Sequence, residues 1–311
     1  MKWNSSIALL PALFAVLAGL VVSSCGDGES VVPPMPDTPA PIKFEDGPEL
    51  SGANAWLHAK LFCELGPRPN QSEALKLSRR HITETLQKLG WSVEDQRFTS
   101  PTPLGDREFV NLIARFQSDK GSTPKGVLSG HIDTKDFSNI EFIGANDGAS
   151  HTGLLLELAR VLSQRPKQAQ QIELVFFDGE EAFGAMIQPG KDGLYGSTHY
   201  AKYYRGKASG EKPKWAINLD MVGHRQLQIE VPSDTPPQLY AAYRKAAAAL
   251  PQGSKRFKVS YGPIIDDHLP LNQAGIPAID IIQGGFTGSN WWHQKDDTLE
   301  ILSPSSLELT G

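Results

Sequence analysis

Carboxylate and imidazole side chains follow several apolar runs of this sequence, at spacings that could build one reactive site. Asp178, Glu180 and Glu181 come directly after the apolar run 172–177. The other groups of this kind are His131, Asp133, Asp147, Asp220, Asp266, Asp267, His268 and His293. Histidine combined with carboxylates, without cysteine, suits a zinc ion bound through nitrogen and oxygen. We therefore predict a zinc site assembled from residues that lie far apart in the sequence.

The adjacent pair Glu180-Glu181 is the most informative part of this set. Paired acidic residues are usually only solvated surface, but this pair follows Leu174-Val175-Phe176-Phe177, a run that should be buried. Because neighbouring side chains point in different directions, one glutamate can bind a metal while the other faces the substrate as an acid or base. The pair therefore predicts metal-assisted chemistry with a proton carrier.

The elements that must position these residues alternate along the chain. Ser51 and Ser72 are expected to cap two helices, which precede two strands at 91–98 and 108–116 that could pair antiparallel. Further strands are predicted at 126–129, 172–177, 216–219 and 278–282, with helices at 148–162, 197–204, 237–250 and 268–274. This alternation predicts a single-domain α/β fold with a mixed, mostly parallel sheet and helices on both faces. Ligands bind at the carboxyl ends of the strands in such sheets, which is where the polar residues lie.

Composition narrows the class of protein. The 311 residues carry a formal net charge of −5, and nucleic-acid binding usually requires a basic face, so we expect no nucleic-acid partner. Two cysteines exclude a disulfide scaffold, and Cys63 is predicted to be a buried structural thiol. We expect the protein to be a monomer.

The N-terminal segment is predicted to be a targeting signal. A basic start and an uncharged apolar run at 7–22 precede Ser23-Ser24-Cys25, which resembles the lipobox of bacterial lipoproteins and implies lipidation of Cys25. An ordinary signal with a chance cysteine is the alternative. Gly26 leaves no acidic retention residue after Cys25, so we expect outer-membrane placement in the cell envelope. The predicted divisions are a lipoprotein signal peptide at 1–24, a Pro-rich tether at 25–45 and a catalytic domain at 46–311.

The order of the polar residues resembles the ligand order of the zinc aminopeptidase superfamily. Finer motifs resemble its glutaminyl-peptide cyclotransferase branch, the animal-type glutaminyl cyclases. These motifs are Gly66–Pro69, Phe176–Phe183, Leu194–Ser197, Asp266–Pro270 and Trp292-His293. The aminopeptidases usually show Ser-Asp-His where this chain has Asp266-Asp267-His268, and they usually lack a Trp before the last His.

The resemblance implies a role for each matching residue. One zinc ion per chain would be held by Asp147, Glu181 and His293. Glu180 would be the general acid/base, in a hydrogen-bonded carboxylate relay with Asp220 and Asp266. The pocket would be walled by Trp292, Ile264 and Phe286, for which ordinary core packing is the alternative. The implied reaction converts the N-terminal glutamine of peptides or proteins to pyroglutamate and releases ammonia.

Two other functions stay open. A zinc aminopeptidase would bind two metal ions bridged by Asp147, with His131 and Asp220 completing the second site. A non-catalytic binding lipoprotein is the other alternative, although the complete ligand set and Glu180 argue against it. The aminopeptidase alternative is harder to exclude, because the cyclases keep His131 and Asp220 as well.

The chain also departs from the cyclase pattern. Gly130 and Thr152 stand where animal cyclases carry a disulfide, and Met186-Ile187, in a longer loop at 184–193, replaces a family Trp on the pocket wall. These departures leave the substrate preference open. The sequence ends shortly after Ser305, where the family begins a final helix, so this helix is expected to be missing or incomplete.

Overall fold

This computed structural model describes residues 44–117, 122–250 and 253–311. These residues form one mixed sheet of eight strands, with helices packed against it. The spatial order is β1-β2-β4-β3-β5-β8-β6-β7. The strands are β1 Trp91–Thr102, β2 Gly105–Phe116, β3 Gly126–His131, β4 Ile172–Phe177, β5 Trp215–Asp220, β6 Ile229–Val231, β7 Phe257–Val259 and β8 Ala278–Gln283. Strands β4, β3, β5 and β8 are neighbours and parallel, so their carboxyl ends share one edge of the sheet. This confirms the predicted fold class.

Helices cover both faces of the sheet. The α-helices of the described residues are α1 Gly52–Leu65, α2 Glu73–Lys88, α3 His151–Ser163, α4 Pro166–Ala169, α5 Tyr195–Lys202, α6 Pro237–Ala249, α7 Gly253–Arg256, α8 His268–Gln273 and α9 Pro304–Thr310. One apolar core joins α1, α2 and α3 to the sheet, and a second lies between the sheet and α5 and α8. None of the helices in the described ranges is long and apolar enough to cross a bilayer.

The two predicted N-caps are confirmed. The Ser51 hydroxyl accepts a hydrogen bond from the Asn54 backbone N–H at 3.2 Å, and the Ser72 hydroxyl accepts one from Leu75 N–H at 3.1 Å. Each side chain thereby satisfies one of the donors that a helix start leaves unpaired. The predicted tether lies largely outside the described residues, as do the signal segment and Cys25.

The structure differs from the sequence predictions in the β1–β2 hairpin and at Cys63. The hairpin is longer than predicted: Thr102 pairs with Gly105, and Pro103-Leu104 alone make the turn. The final helix, expected to be missing or incomplete, is seen as the seven-residue α9, which packs on α1. Cys63 is only half-buried, yet its contact with the core raises the pKa of its thiol to about 12, mainly by desolvation.

Candidate active site

A cavity of about 410 Å³ opens at the carboxyl ends of the parallel strands. Every residue that the sequence assigned to metal, proton transfer or pocket wall lines it. These residues are Asp147, Glu180, Glu181, Asp220, Ile264, Asp266, Phe286, Trp292 and His293. The parallel strands bring together side chains that are up to 146 positions apart in the sequence, from Asp147 to His293. This convergence was expected for an open α/β sheet.

Asp147 sits on an irregular turn just before α3. The predicted helix start at Gly148 is wrong, because Asp147 and Gly148 have non-helical backbone angles and α3 begins at His151. Gly148 has φ of +112°, which a residue with a Cβ rarely adopts. The Asp297 carboxylate accepts hydrogen bonds from the N–H groups of Asn146 at 2.7 Å and Asp147 at 3.1 Å. The turn is therefore pinned so that the Asp147 side chain faces the cavity.

Glu180 and Glu181 are oriented by a third carboxylate. Asp133, on the loop after β3, accepts the Glu180 N–H at Oδ1 and the Glu181 N–H at Oδ2, both at 3.2 Å. Both glutamate side chains are buried and both line the cavity. Burial raises the pKa of Glu180 well above its ordinary value; the nearby His131 opposes this shift, whereas Glu181 and Asp266 add to it. Glu180 therefore binds a proton more readily than a free glutamate does.

Asp147, Glu181 and His293, which we call the metal trio, bring three ligand atoms within 4.8 Å of one another. The His293 Nε2 atom lies 3.2 Å from Glu181 Oε1 and 3.5 Å from Asp147 Oδ2. Glu181 Oε1 is buried and makes no hydrogen bond in the described part of the chain. An acceptor that is buried without a partner is costly. A zinc ion would satisfy it, so this set of one nitrogen and two carboxylate donors fits the metal.

Aromatic rings hold the His293 imidazole in place. Trp292 stacks on His293 with ring centroids 4.1 Å apart, and Phe286 meets Trp292 edge-on at 4.9 Å. Phe137 and Phe142 contact the imidazole from other directions. His293 has φ of +55°, an uncommon conformation for a residue other than glycine. Such conformations persist where the surroundings enforce them, and they are frequent at functional sites.

His131 lies between two cavity carboxylates. Its Nε2 atom is 3.2 Å from Asp147 Oδ1 and 3.3 Å from Asp220 Oδ1. Burial lowers the pKa of His131, but hydrogen bonds to Asp147 and Asp220 outweigh it, so this pKa lies well above its ordinary value. His131 therefore lies where the two-metal aminopeptidase alternative requires it, close to Asp147 and Asp220. The geometry of His131, Asp147 and Asp220 is compatible with either one ion or two.

His151 packs against His131, with ring centroids 4.6 Å apart. It is fully buried behind His131. Its Nε2–H donates to the His131 carbonyl at 2.8 Å, and its Nδ1 accepts the Met221 N–H at 3.2 Å. Burial and the neighbouring His131 lower its pKa well below the ordinary value. Both nitrogens are engaged, so His151 supports the loop positions of its neighbours and is not free to bind a metal.

Four aspartates form a second, deeper group, which we call the acid cluster: Asp220, Asp266, Asp267 and Asp280. Asn218 donates to Asp266 Oδ1 at 2.9 Å and to Asp280 Oδ1 at 3.2 Å. Burial is the largest cause that raises the pKa values of all four. For Asp220, Asp267 and Asp280, the neighbouring Asp266 carboxylate raises the pKa further. The cluster is therefore a place where carboxylates share protons.

Sequence reasoning missed three polar residues of this region. Asp280 interrupts the apolar run of β8, and a charged residue in a buried strand was a usable signal. Asp297 fixes the Asp147 turn, but an Asp-Asp pair in a loop looks like ordinary surface. Lys135 is buried, donates to the Ala182 carbonyl at 2.6 Å and lies 3.7 Å from Glu181 Oε2. Nothing in its local sequence distinguishes it from an exposed lysine.

Comparison with known proteins identifies relatives of this arrangement. The model of peptidase family M28 matches residues 111–311. The glutaminyl-peptide cyclotransferase of Bos taurus is 30% identical over 270 residues, which cover 74% of this chain and 72% of that protein. The crystal structure of an Acidobacteriales bacterium glutaminyl cyclase superposes with a TM-score of 0.75 at 29% identity, covering 88% of this chain and 95% of that one. A Zn-dependent exopeptidase from Parabacteroides distasonis superposes with a TM-score of 0.73 at 26% identity, covering 85% and 96%.

Proposed function

The chain belongs to peptidase family M28, and we propose that within this family it is a zinc-dependent glutaminyl-peptide cyclotransferase. The substrates are peptides or proteins with N-terminal glutamine, and the products are the pyroglutamyl peptide and ammonia. The observation that carries the proposal is the single cavity that joins the metal trio to Glu180, Asp266 and Trp292. The similarity to glutaminyl cyclases supports it.

The metal trio would hold one zinc ion. Zinc supplies a Lewis acid that draws electron density from the glutamine γ-carbonyl and stabilises negative charge on its oxygen. Burial and the neighbouring Asp266 carboxylate raise the pKa of Asp220, a potential ligand for a second ion. A carboxylate that holds a proton is a poor metal ligand, which supports the one-ion count. Ser at the position of Asp266, as in the aminopeptidases that the chain resembles, would leave Asp220 without this neighbouring carboxylate.

Glu180 is proposed to move the proton. The α-amine of the substrate attacks its own γ-amide carbon, so proximity is built into the substrate. Glu180 accepts a proton from the amine and delivers one to the departing ammonia. Burial raises the pKa of Glu180, and this direction favours uptake of the proton that the amine gives up. Buried carboxylates with shifted pKa values are frequent at catalytic sites in clefts.

Asp220 and Asp266 are proposed to support Glu180 rather than to touch the metal. Asp266 is held by Asn218 and by the Asp267 N–H, so its carboxylate has a fixed direction. The charge of Asp266 also contributes to the raised pKa of Glu180. The acid cluster thereby provides a carboxylate relay next to the proton carrier.

The cavity walls would orient glutamine and exclude water. Trp292, Phe286 and Ile264 present apolar surface beside the metal trio. Exclusion of water matters because hydrolysis of the γ-amide would give glutamate instead of pyroglutamate. The volume of about 410 Å³ accommodates one amino-acid residue with the start of the following chain.

The test is incubation of purified protein with a Gln-initiated peptide, followed by mass spectrometry. We expect the peptide to lose the mass of one ammonia. An aminopeptidase with two zinc ions is the second candidate, which the approach of His131 to Asp147 and Asp220 favours. Release of free glutamine from the same peptide would identify that activity and overturn the cyclase proposal.

We further propose that the protein is a monomer anchored in the bacterial envelope by a lipid on Cys25, with the catalytic domain facing the periplasm or the cell surface. The lipobox-like sequence before Cys25 and the Pro-rich tether support this placement. A Cys25→Ser variant should be released to the soluble fraction or stop being processed. Normal processing and continued membrane attachment of that variant would refute the anchor.

A further inference from the structure

Glu230 brings to the cavity a carboxylate that the proposed chemistry does not use. It is the central residue of β6 and is half-buried. It lines the same cavity as Glu180 and His293, together with Ser260 and Pro263. Asp266, by contrast, lies at the buried end of the cavity. Glu230 therefore lies at a more exposed part of the cavity wall than Asp266 does.

The position of the Glu230 side chain is fixed by its neighbours. β6 pairs antiparallel with β8, and Glu230 lies opposite Ile282. A Cβ atom on Gly284 would come 2.5 Å from Glu230 Cγ and 2.7 Å from Glu230 Oε1. The Glu230 side chain therefore lies directly against the Gly284 backbone, in space that the side chain of any other residue at position 284 would fill. This close approach holds the carboxylate along the cavity wall.

No cation within the described ranges neutralises this carboxylate. Glu230 makes neither a side-chain hydrogen bond nor a salt bridge there. Lys258, its register neighbour in β7, is exposed and does not come within salt-bridge distance. Lys135, the lysine that lines the cavity, is held by the Ala182 carbonyl and by Glu181. A half-buried carboxylate without a partner attracts a cation more strongly than a fully solvated one does.

We infer that Glu230 selects substrates with lysine or arginine directly after the N-terminal glutamine. The inference rests on the proposed function, which places glutamine at the Glu180 and Trp292 end of the cavity. The rest of the peptide then leaves along the wall that carries Glu230. The aliphatic part of a Lys or Arg side chain would pack on Pro263, which also lines the cavity, while its cationic end reaches the carboxylate.

The test compares kcat/KM for three peptides that differ only in the second residue: Gln-Lys, Gln-Ala and Gln-Glu. For the wild type, we expect Gln-Lys to exceed Gln-Ala by about 5- to 10-fold, and Gln-Glu to be the poorest substrate. The preference should arise mainly in KM and weaken as salt is added. Glu230→Gln should bring the Gln-Lys to Gln-Ala ratio close to one, and Glu230→Lys should invert the order of Gln-Lys and Gln-Glu.

Glu84→Gln is the matched control, because Glu84 is exposed on α2 and the same charge is removed far from the cavity wall. It should keep the wild-type ratio. An unchanged ratio in Glu230→Gln would overturn the inference. If no peptide is cyclised, the proposed function fails instead. Calorimetry of peptide binding then still decides the role of Glu230: tighter binding of Gln-Lys than of Gln-Ala that Glu230→Gln abolishes supports it, and equal binding refutes it.

Discussion

The metal trio and the acid cluster are built from the same kind of residue but differ in what surrounds them. In the metal trio, two carboxylates face an imidazole, and Glu181 Oε1 has no hydrogen-bond donor among the described residues. In the acid cluster, Asp266 and Asp280 receive hydrogen bonds from the Asn218 amide, and burial and the nearby Asp266 raise the pKa of Asp220. The two regions adjoin through His131, which contacts Asp147 on one side and Asp220 on the other.

This difference separates a site for a metal from a site for protons. Carboxylates that crowd together without a cation raise one another's pKa and hold protons between them. Carboxylates that converge with an imidazole, and that keep a buried oxygen without a hydrogen bond, offer a divalent cation its ligands. Residue type alone therefore does not decide the role of a buried aspartate; the donors around it do.

The largest effect should follow removal of the metal. The metal trio supplies the ligands for the ion on which the proposed chemistry depends, so chelation should reduce turnover to background. Titration of the metal-free protein with zinc should restore full turnover at about one equivalent per chain, measured by activity and elemental analysis together. Recovery that needs two tightly bound equivalents would contradict the one-ion account and revive the aminopeptidase.

A change in the acid cluster should affect turnover without affecting the metal. Asp266→Asn keeps the shape of the side chain but removes the charge beside Asp220 and Glu180. We expect zinc content to stay at the wild-type level while turnover falls by about 10²-fold, the usual scale of an acid–base contribution. Asp106→Asn, at the exposed β1–β2 hairpin, is the control and should match the wild type. If Asp266→Asn loses its zinc, the division between the two regions is wrong.

A buried imidazole outside both regions gives a smaller effect, on stability rather than turnover. Burial, the largest cause, lowers the pKa of His58 to about 3, whereas carboxylates raise that of His131. The unfolded chain binds a proton at His58 near pH 6.5 and the folded chain does not until about pH 3. The stabilisation is therefore complete above pH 6.5 and is lost as the pH falls toward 3.

The measurement is the free energy of unfolding of the metal-free protein by denaturant between pH 7 and pH 4. His58 should account for a loss of about 3 kcal/mol over this range. The His58→Phe variant keeps an aromatic ring against Phe44 but has no imidazole to protonate. Its free energy of unfolding should therefore fall less than that of the wild type over this pH range, by the contribution of His58. Parallel pH curves for the two proteins would show that His58 is protonated in the folded state.

Much of the fold could be predicted because its central strands are continuous apolar runs. β4, for example, spans 172–177 as expected, since a strand buried on both faces leaves a strong signal. Strands β6 and β7 were missed, because three residues are too short to show a period. Their place in the sheet depends on tertiary pairing: β6 pairs with β8, and β7 pairs with β6. Tertiary contacts that local sequence does not encode are also why Glu230 went unrecognised.

The residues of the candidate site could likewise be predicted where the local sequence marks them and not where only tertiary contacts do. Residues such as Glu180 and Glu181 stand at strand ends, where polar groups after an apolar run are conspicuous. Asp297 and Arg68 were not assigned a role, because their partners are backbone groups, most of them distant in sequence. Arg68 is fully buried and donates to the carbonyls of Phe62, Gly66, Ile132, Ile143 and Gly144. Such contacts exist only once the chain has folded.

The division of labour between Glu180 and Glu181 is the central claim, and one paired measurement tests it most directly. Zinc content and turnover should be determined side by side for Glu180→Gln and Glu181→Gln. Glu181→Gln weakens a ligand of the metal trio, so zinc and activity should fall together and added zinc should restore part of each. Glu180→Gln should keep its zinc while turnover drops by about 10²-fold or more. Loss of zinc from Glu180→Gln with retention in Glu181→Gln would contradict the account, because it would reverse the two roles.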